Sequence, residues 1–238
     1  MGEYVHTAQT TVSDGTHTFD KGGYYVLRDQ DTLTFMRCGH YKDRPFQADN
    51  LHLDIWVDGE NILRDAGSYL YNTEERWTRY FAGTASHNTV MLGEQDQMRK
   101  GPRFIWHDWI KESQAGWYHH GPFVFEGEFT GFRQSGQPVA HRRRVTKAEG
   151  EKRWVVEDWL HNAPGGVPLH QIWHPGEGFV GSYSIKAWDQ EGNEVVATET
   201  EGWYSEKYGQ KVAVPRLVFS TSKRYLRTEI EGLSDTRV

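Results

Sequence analysis

The sequence predicts an all-β protein, a large antiparallel β-sandwich of roughly 12–16 strands with little helix. Three observations lead there. Apolar and aromatic residues alternate with polar ones over short runs, the two-residue period of a strand with one buried face. Clusters of Gly, Pro, Asn and Asp punctuate those runs at close intervals. No long amphipathic helix, low-complexity segment or clear repeat interrupts them. At 238 residues the chain fits one large all-β domain or two small ones. The turn Asn162-Ala163-Pro164-Gly165-Gly166 is too short to link two domains, so one domain over 1–238 is expected.

In chain order, residues 24–28 and 32–38 read as two strands around the turn Asp29-Gln30-Asp31. The clearest strand is 51–57, with Leu51, Leu53, Ile55 and Val57 on one face and His52, Asp54 and Trp56 on the other. Asp58-Gly59 supplies a tight turn to a partner strand at 61–64, and Asp65-Ala66-Gly67 then breaks the run. From Thr73 to Ala85 the pattern changes. Acids in a first turn followed by Trp77, Tyr80 and Phe81 predict a helical turn or an ordered loop. Strands are expected again at 88–92, 104–111, 117–120, 123–133, 141–147 and 153–161. The series closes with 169–174, 183–189, 194–199, 212–220 and 225–231, where Pro215 signals an edge strand or a bulge.

Hydrophobic residues make up 37% and charged residues 25% of the chain, and the net charge is −6. No basic field exists to attract nucleic acid, so an acidic ligand would need a local basic pocket. No segment approaches the ~20 apolar residues that span a bilayer. The single cysteine, Cys38, excludes an internal disulfide. Ten tryptophans within 14% aromatics suit either a wide sandwich core or rings that stack on sugars. Met1, Gly2 and Glu3 open no signal peptide, and the start within a strand-rich region suggests a fragment rather than a natural N-terminus.

Polar residues cluster between Arg44 and Leu92. Gln47, Asp49, Asp65 and His87 include carboxylate and imidazole, ordinary zinc ligands; alternatively Asp65 forms a turn and His87 is a hydrogen-bonded core residue. Tyr69, Tyr71, Tyr80, Arg76, Arg79 and His52 hold the groups needed to remove a proton beside a carboxylate, or else simply pack. His52 with Asp54 reads as a His–Asp pair within the sheet. The run from His141 to Arg144 offers either a sugar-acid site or a solvated strand face. His119-His120 and the pair His170 and His174 have chelating spacing without a carboxylate. Ser86-His87 beside Asp65 makes no hydrolase triad, because no nucleophile elbow surrounds the serine.

The segments QADNLHLDIWVDGENILRDAGSYLYN and RYFAGTASHNTVML resemble the heparinase II/III-like polysaccharide lyases, which include heparin-sulfate and oligoalginate lyases. HRRRV, WVVEDWLHN and GWYSEKYGQKVAVPRLVF extend the resemblance over most of the chain, in the order of that family's C-terminal β-sandwich. The resemblance implies an N-terminal (α/α) toroid that this chain lacks. An acidic polysaccharide or oligosaccharide would lie between the two and be cut by β-elimination at uronic acids. It also implies a periplasmic or secreted protein, inactive without its toroid. Asp65 and His87 match zinc-binding residues of the family, and Gln47 stands where a third ligand, usually histidine, is found. Pro45 stands where many members place a catalytic histidine. Tyr80 matches a tyrosine of the active cleft, with Arg76 and Arg79 facing bound substrate. A non-catalytic carbohydrate-binding or structural module with a degenerate metal site is the alternative, and a stand-alone zinc hydrolase a third reading.

Overall fold

The computed structural model describes residues 13–119 and 121–233; the expectations for Met1 to Glu3 and for His120 fall outside them. β1 (Gly15–Phe19), β2 (Tyr24–Asp29), β3 (Thr32–Arg37), β4 (His52–Val57) and β5 (Glu60–Leu63) form a five-stranded antiparallel meander. β1 has no counterpart among the sequence-predicted strands. Its five residues carry one large apolar side chain, Phe19, and that one is 58% exposed, so no alternating pattern marks it. Asp58 and Gly59 both take positive φ, 52° and 83°, as a two-residue hairpin between strands of right-handed twist requires.

The helix α1 (Glu75–Ala82) is longer than a single turn and buries Phe81 and Ala82. After it come β6 (Val90–Leu92), β7 (Arg99–Lys100) and β8 (Trp106–His107). The strand expected over 104–111 shrinks to the two residues of β8, because Asp108 adopts φ 58° and turns the chain out of extended geometry.

β9 (Ser113–His119), β10 (Phe123–Gly131), β11 (Val139–Lys147), β12 (Arg153–His161), β13 (Leu169–Trp173) and β14 (Tyr183–Asp189) follow. The last four are β15 (Glu194–Val195), β16 (Thr198–Tyr204), β17 (Val212–Thr221) and β18 (Tyr225–Gly232). The strand expected at 194–199 therefore divides between β15 and β16. A seven-stranded sheet runs β15-β14-β18-β12-β11-β10-β9, a four-stranded sheet β16-β17-β13-β6, and β7 pairs with β8. Pro215 lies opposite Glu201 of β16, beyond the 217–221 stretch that β13 reaches, so its missing N–H faces an open side.

The architecture is all-β and sandwich-like. One face of the seven-stranded sheet covers both the five-stranded and the four-stranded sheets. Trp154 Nε1 donates to Thr34 Oγ1 at 2.9 Å, and Lys147 Nζ to Asp29 Oδ2 at 2.7 Å. Gln171 Nε2 reaches Asp158 Oδ2 at 2.7 Å from the other covered sheet. Arg64 N–H to the His174 carbonyl, 3.0 Å, joins the two covered sheets side by side. β11 alternates strictly: Val139, His141, Arg143, Val145 and Lys147 are buried, while Ala140, Arg142, Arg144 and Thr146 are half-exposed. The basic run from His141 is split by the strand period, as expected of a strand, with His141 and Arg143 inward and Arg142 and Arg144 on the half-exposed face.

Candidate functional site

The polar centre of the Arg44–Leu92 stretch is built by three chain reversals. His52 opens β4 immediately after Leu51, whose φ is 58°. Asp65 follows β5, and its Oδ1 accepts from Gly67 N–H at 2.7 Å. Gly67 has φ 85°, and a Cβ there would lie 2.2 Å from the Ser205 carbonyl oxygen, so only glycine lets the two backbones meet. His87 leaves a 3-10 turn over Thr84–Ser86.

Together these turns bring His87 Nδ1 to 2.5 Å and His52 Nε2 to 3.8 Å from Asp65 Oδ2, with His52 Nε2 also 3.4 Å from Asp54 Oδ1. One ligand atom from each of His52, Asp65 and His87 falls within 4.8 Å of the others. Both histidines are buried, and each leaves Nε2 without a hydrogen-bond partner.

Asn88 ties this centre to the core. Its N–H donates to His52 Nδ1 at 2.9 Å and its Nδ2 to the carbonyls of Leu53 and Arg64. Its Oδ1 accepts from His174 N–H at 2.7 Å and lies 3.1 Å from His174 Nδ1. Behind it the buried Arg143 donates through Nη1 to the carbonyls of Leu51 and Asn88 at 2.6 and 2.7 Å. Asp158 holds that guanidinium with both oxygens, at 2.8 and 2.9 Å.

The charges sort accordingly. Burial alone would raise the Asp65 carboxyl, but His87, His52 and the Gly67 N–H outweigh it and hold the group well below the usual range. Burial presses His52 down, yet Asp54, Asp65 and Asp49 together keep it above its ordinary value. His174 is pushed down to about 3 by burial, with Arg216 adding to the effect. The site thus holds an anionic Asp65 beside a His52 inclined to charge and a His174 that stays neutral.

Two imidazoles and a carboxylate are a donor set suited to a small divalent cation, and the unpartnered His87 Nε2 offers one free position. Because His52 Nδ1 accepts from Asn88, the neutral ring carries its proton on Nε2. Coordination through that nitrogen therefore requires the Asn88 bond to be given up.

The other sequence-predicted residues lie around this centre. Gln47 Nε2 donates to the Phe81 carbonyl at 3.3 Å, and its own carbonyl accepts from Tyr41 OH at 3.1 Å. Asp49 accepts from Tyr41 OH and pairs with Arg37 at 3.6 Å. Tyr80 OH accepts from Trp203 N–H at 2.8 Å and lies 3.4 Å from the Trp203 carbonyl, and burial raises its pKa. Arg76 and Arg79 are exposed on α1 and paired with Glu74 at 3.0 Å and Glu75 at 2.7 Å. Tyr71 stacks on Phe104 with ring centroids 4.2 Å apart, and Tyr69 packs under Lys211.

His170 and His174 do not converge. His170 bonds Ser220 on the half-exposed face of β13, whereas His174 is buried. Sequence reasoning put His52 in a simple pair with Asp54 and overlooked Arg143 as its support. A strand pattern shows which face a residue takes but not what lies across the core.

The family described as Heparinase II/III-like, C-terminal matches residues 11–233. A heparin-sulfate lyase of Bacteroides stercoris is 25% identical over 171 residues, covering 67% of this chain and 23% of that protein. One from Bacteroides thetaiotaomicron is 27% identical over 179 residues, covering 68% and 24%. The chain thus spans about a quarter of the length of these relatives. A crystal structure of heparinase III superposes with TM-score 0.77 at 18% identity, covering 95% of this chain and 38% of that one. A heparan sulfate lyase from Pedobacter heparinus gives 0.72 at 16%, covering 94% and 37%. At such identities the superpositions speak to the fold, and the match over nearly the whole length decides the family. The chain belongs to the heparinase II/III-like C-terminal family.

Proposed function

We propose that this chain is the β-sandwich part of a polysaccharide lyase that cuts uronic-acid-containing chains by β-elimination. It would form one wall of the substrate cleft, and a toroid domain of the same protein the other. The observation that carries this reading is the family match across 11–233, in company with relatives named heparin-sulfate lyases.

β-Elimination needs a neutralised carboxylate, a base for the adjacent proton and an acid for the leaving oxygen. Tyr80, with its raised pKa, is a phenol at neutral pH and so suits the donor role, once its bonds to Trp203 are exchanged for substrate. Arg76 and Arg79, exposed on α1, would meet an acidic chain if Glu74 and Glu75 yield them. A zinc ion would be held by His52, Asp65 and His87, with His52 in the third position, where the resemblance puts Gln47. Bound there, the ion supplies a fixed positive charge that ties β4, the segment after β5 and the turn before β6 together.

Absorbance of the unsaturated uronate, measured with the full-length protein on alginate, heparan sulfate and related chains, tests the lyase reading. No gain on any of them sinks it. Elemental analysis tests the metal: zinc is expected in purified protein and lost from Asp65→Ala, and equal near-zero zinc in both removes it. A second reading, a non-catalytic carbohydrate-binding or structural module with a degenerate metal site, draws support from one observation. The Tyr80 hydroxyl is committed to the Trp203 backbone.

A further inference from the structure

The four-stranded sheet turns Gln171 inward to Asp158, and its opposite face carries an open groove of about 290 Å³. None of Gln47, His52, Asp65, Tyr80 or His87 lines it. Strand register lays its floor in three rows. Met91, His170 and Ser220 stand side by side, then Ile172 beside Val218, then Arg216 beside Thr200. Neighbouring rows are two residues apart along a strand, about 7 Å. The two end rows are polar, and between them lie the buried Ile172 and the half-exposed Val218.

The two ends differ in charge. Arg216 Nε donates to Thr200 Oγ1 at 3.1 Å, and Nη1 to the Ala85 carbonyl at 3.1 Å. Its Nη2 makes no hydrogen bond among the described residues. Arg142, Arg143 and Arg144 each pair with a carboxylate, but Arg216 has none within ion-pair distance among those residues. A guanidinium fixed by two bonds and lacking a counter-ion is a prepared seat for a carboxylate. At the other end the His170 Nδ1 and Ser220 Oγ lie 2.7 Å apart, and the exposed Glu94 stands on the rim. Burial, with Arg216 adding to it against Glu94, holds the His170 pKa below its ordinary value, so the ring is uncharged at neutral pH. Glu94 repels an anion from this end, while the imidazole and the hydroxyl can meet a neutral polar group.

We infer that this groove binds a small hydroxy-aromatic acid, with its carboxylate on Arg216, its ring over Ile172 and Val218, and its hydroxyl at His170 and Ser220. The end rows are about 14 Å apart, which suits one ring with a hydrogen bond of about 3 Å at each end. The volume, small for a ligand site, also fits a single ring. An apolar floor with no aromatic side chain lining it suits a flat hydrocarbon body rather than a polyhydroxylated one. The inference does not rest on the lyase reading.

The 238-residue chain is titrated with 4-hydroxybenzoate, with benzoate (no hydroxyl) and with 4-hydroxybenzamide (no charge), while amide shifts are recorded. The expected result is shift changes at His170, Ile172, Thr200, Arg216 and Val218 with 4-hydroxybenzoate, weaker binding of benzoate, and none of the amide. Arg216→Gln should bind 4-hydroxybenzoate about tenfold more weakly. Because Arg216 also holds the Ala85 carbonyl, Val218→Glu is measured beside it. That change sets a carboxylate on the apolar row from a half-exposed position and should weaken binding at least as much. If either variant loses its far-ultraviolet spectrum, the three titrations of the unaltered chain decide. No shifts in the groove with 4-hydroxybenzoate, equal binding of the amide, or unchanged affinity in both folded variants overturns the inference. Equal binding of benzoate overturns the placement of the hydroxyl. Shifts in the groove with a heparan sulfate oligosaccharide and none with 4-hydroxybenzoate would make it part of a saccharide cleft and overturn the inference as well.

Discussion

His174 shows how much one buried side chain depends on its surroundings. Its ring lies between Asn88 and the His52 cluster with Nε2 unpartnered, and its pKa of about 3 keeps it neutral in the fold. In the unfolded chain a histidine titrates near about 6.5. Between those values the unfolded state binds the proton and the folded state does not. Stability from this group is therefore complete above about pH 6.5 and is lost as the pH falls towards 3. In His174→Gln, the loss of unfolding free energy between about pH 7 and about pH 4.5 should be smaller by about 2 kcal/mol, read from urea titrations at both pH values. Equal losses in the two proteins would remove His174 from the acid sensitivity.

Tyr80 separates a structural role from a chemical one. Tyr80→Phe leaves the Trp203 N–H without its 2.8 Å partner, and about 1–2 kcal/mol of stability should go with it. If denaturant melts show that loss while the full-length protein still forms product, Tyr80 is scaffold. Product lost at unchanged stability assigns it to the chemistry.

At the scale of elements, β11 decides more than its sequence suggests. Arg143 is fully buried with Asp158 and holds the carbonyls of Leu51 and Asn88, the neighbours of His52 and His87. Arg143→Met strips the buried Asp158 carboxylate of its guanidinium, leaving it Gln171 as a donor, and removes a donor from the Leu51 and Asn88 carbonyls, a loss of about 3–5 kcal/mol. Adding Asp158→Leu should recover part of it, and the imidazole signals of His52 and His87 should move in both variants. Unaltered signals would mean that the strand supports the fold without setting the site. The outward residues of β11 behave differently: Arg142 and Arg144 share Glu126 at 2.8 and 2.6 Å on a half-exposed face, where such pairs contribute little.

Across the whole molecule, the separation of the layers is set where side chains are smallest. A Cβ on Gly127 of β10 would lie 2.5 Å from Leu51 Cδ2 and 2.9 Å from Phe125 Cε1. Gly127→Ala should therefore lower stability by about 1–3 kcal/mol, whereas Gly165→Ala, with nothing within 4 Å, should be neutral. Thermal melts of both compare a crowded contact between sheets with an open turn. Equal melting temperatures would mean that the layers can part without cost.

The alternation of 51–57, the Asp58-Gly59 turn and the spaced apolar runs made the all-β class legible, because a strand's period and its turns are local properties. Asp65 and His87 were legible as a possible pair from their residue types and the breaks beside them. The strand period also showed that alternate residues of the HRRR run face opposite ways. It did not show that Asp158, fifteen residues along the chain from Arg143, meets it across the sheet. Nor did it join His52 to Asp65 and His87. Those meetings depend on the register of β11 with β12 and on the chain reversals around β4, β5 and β6, which a local residue pattern does not specify.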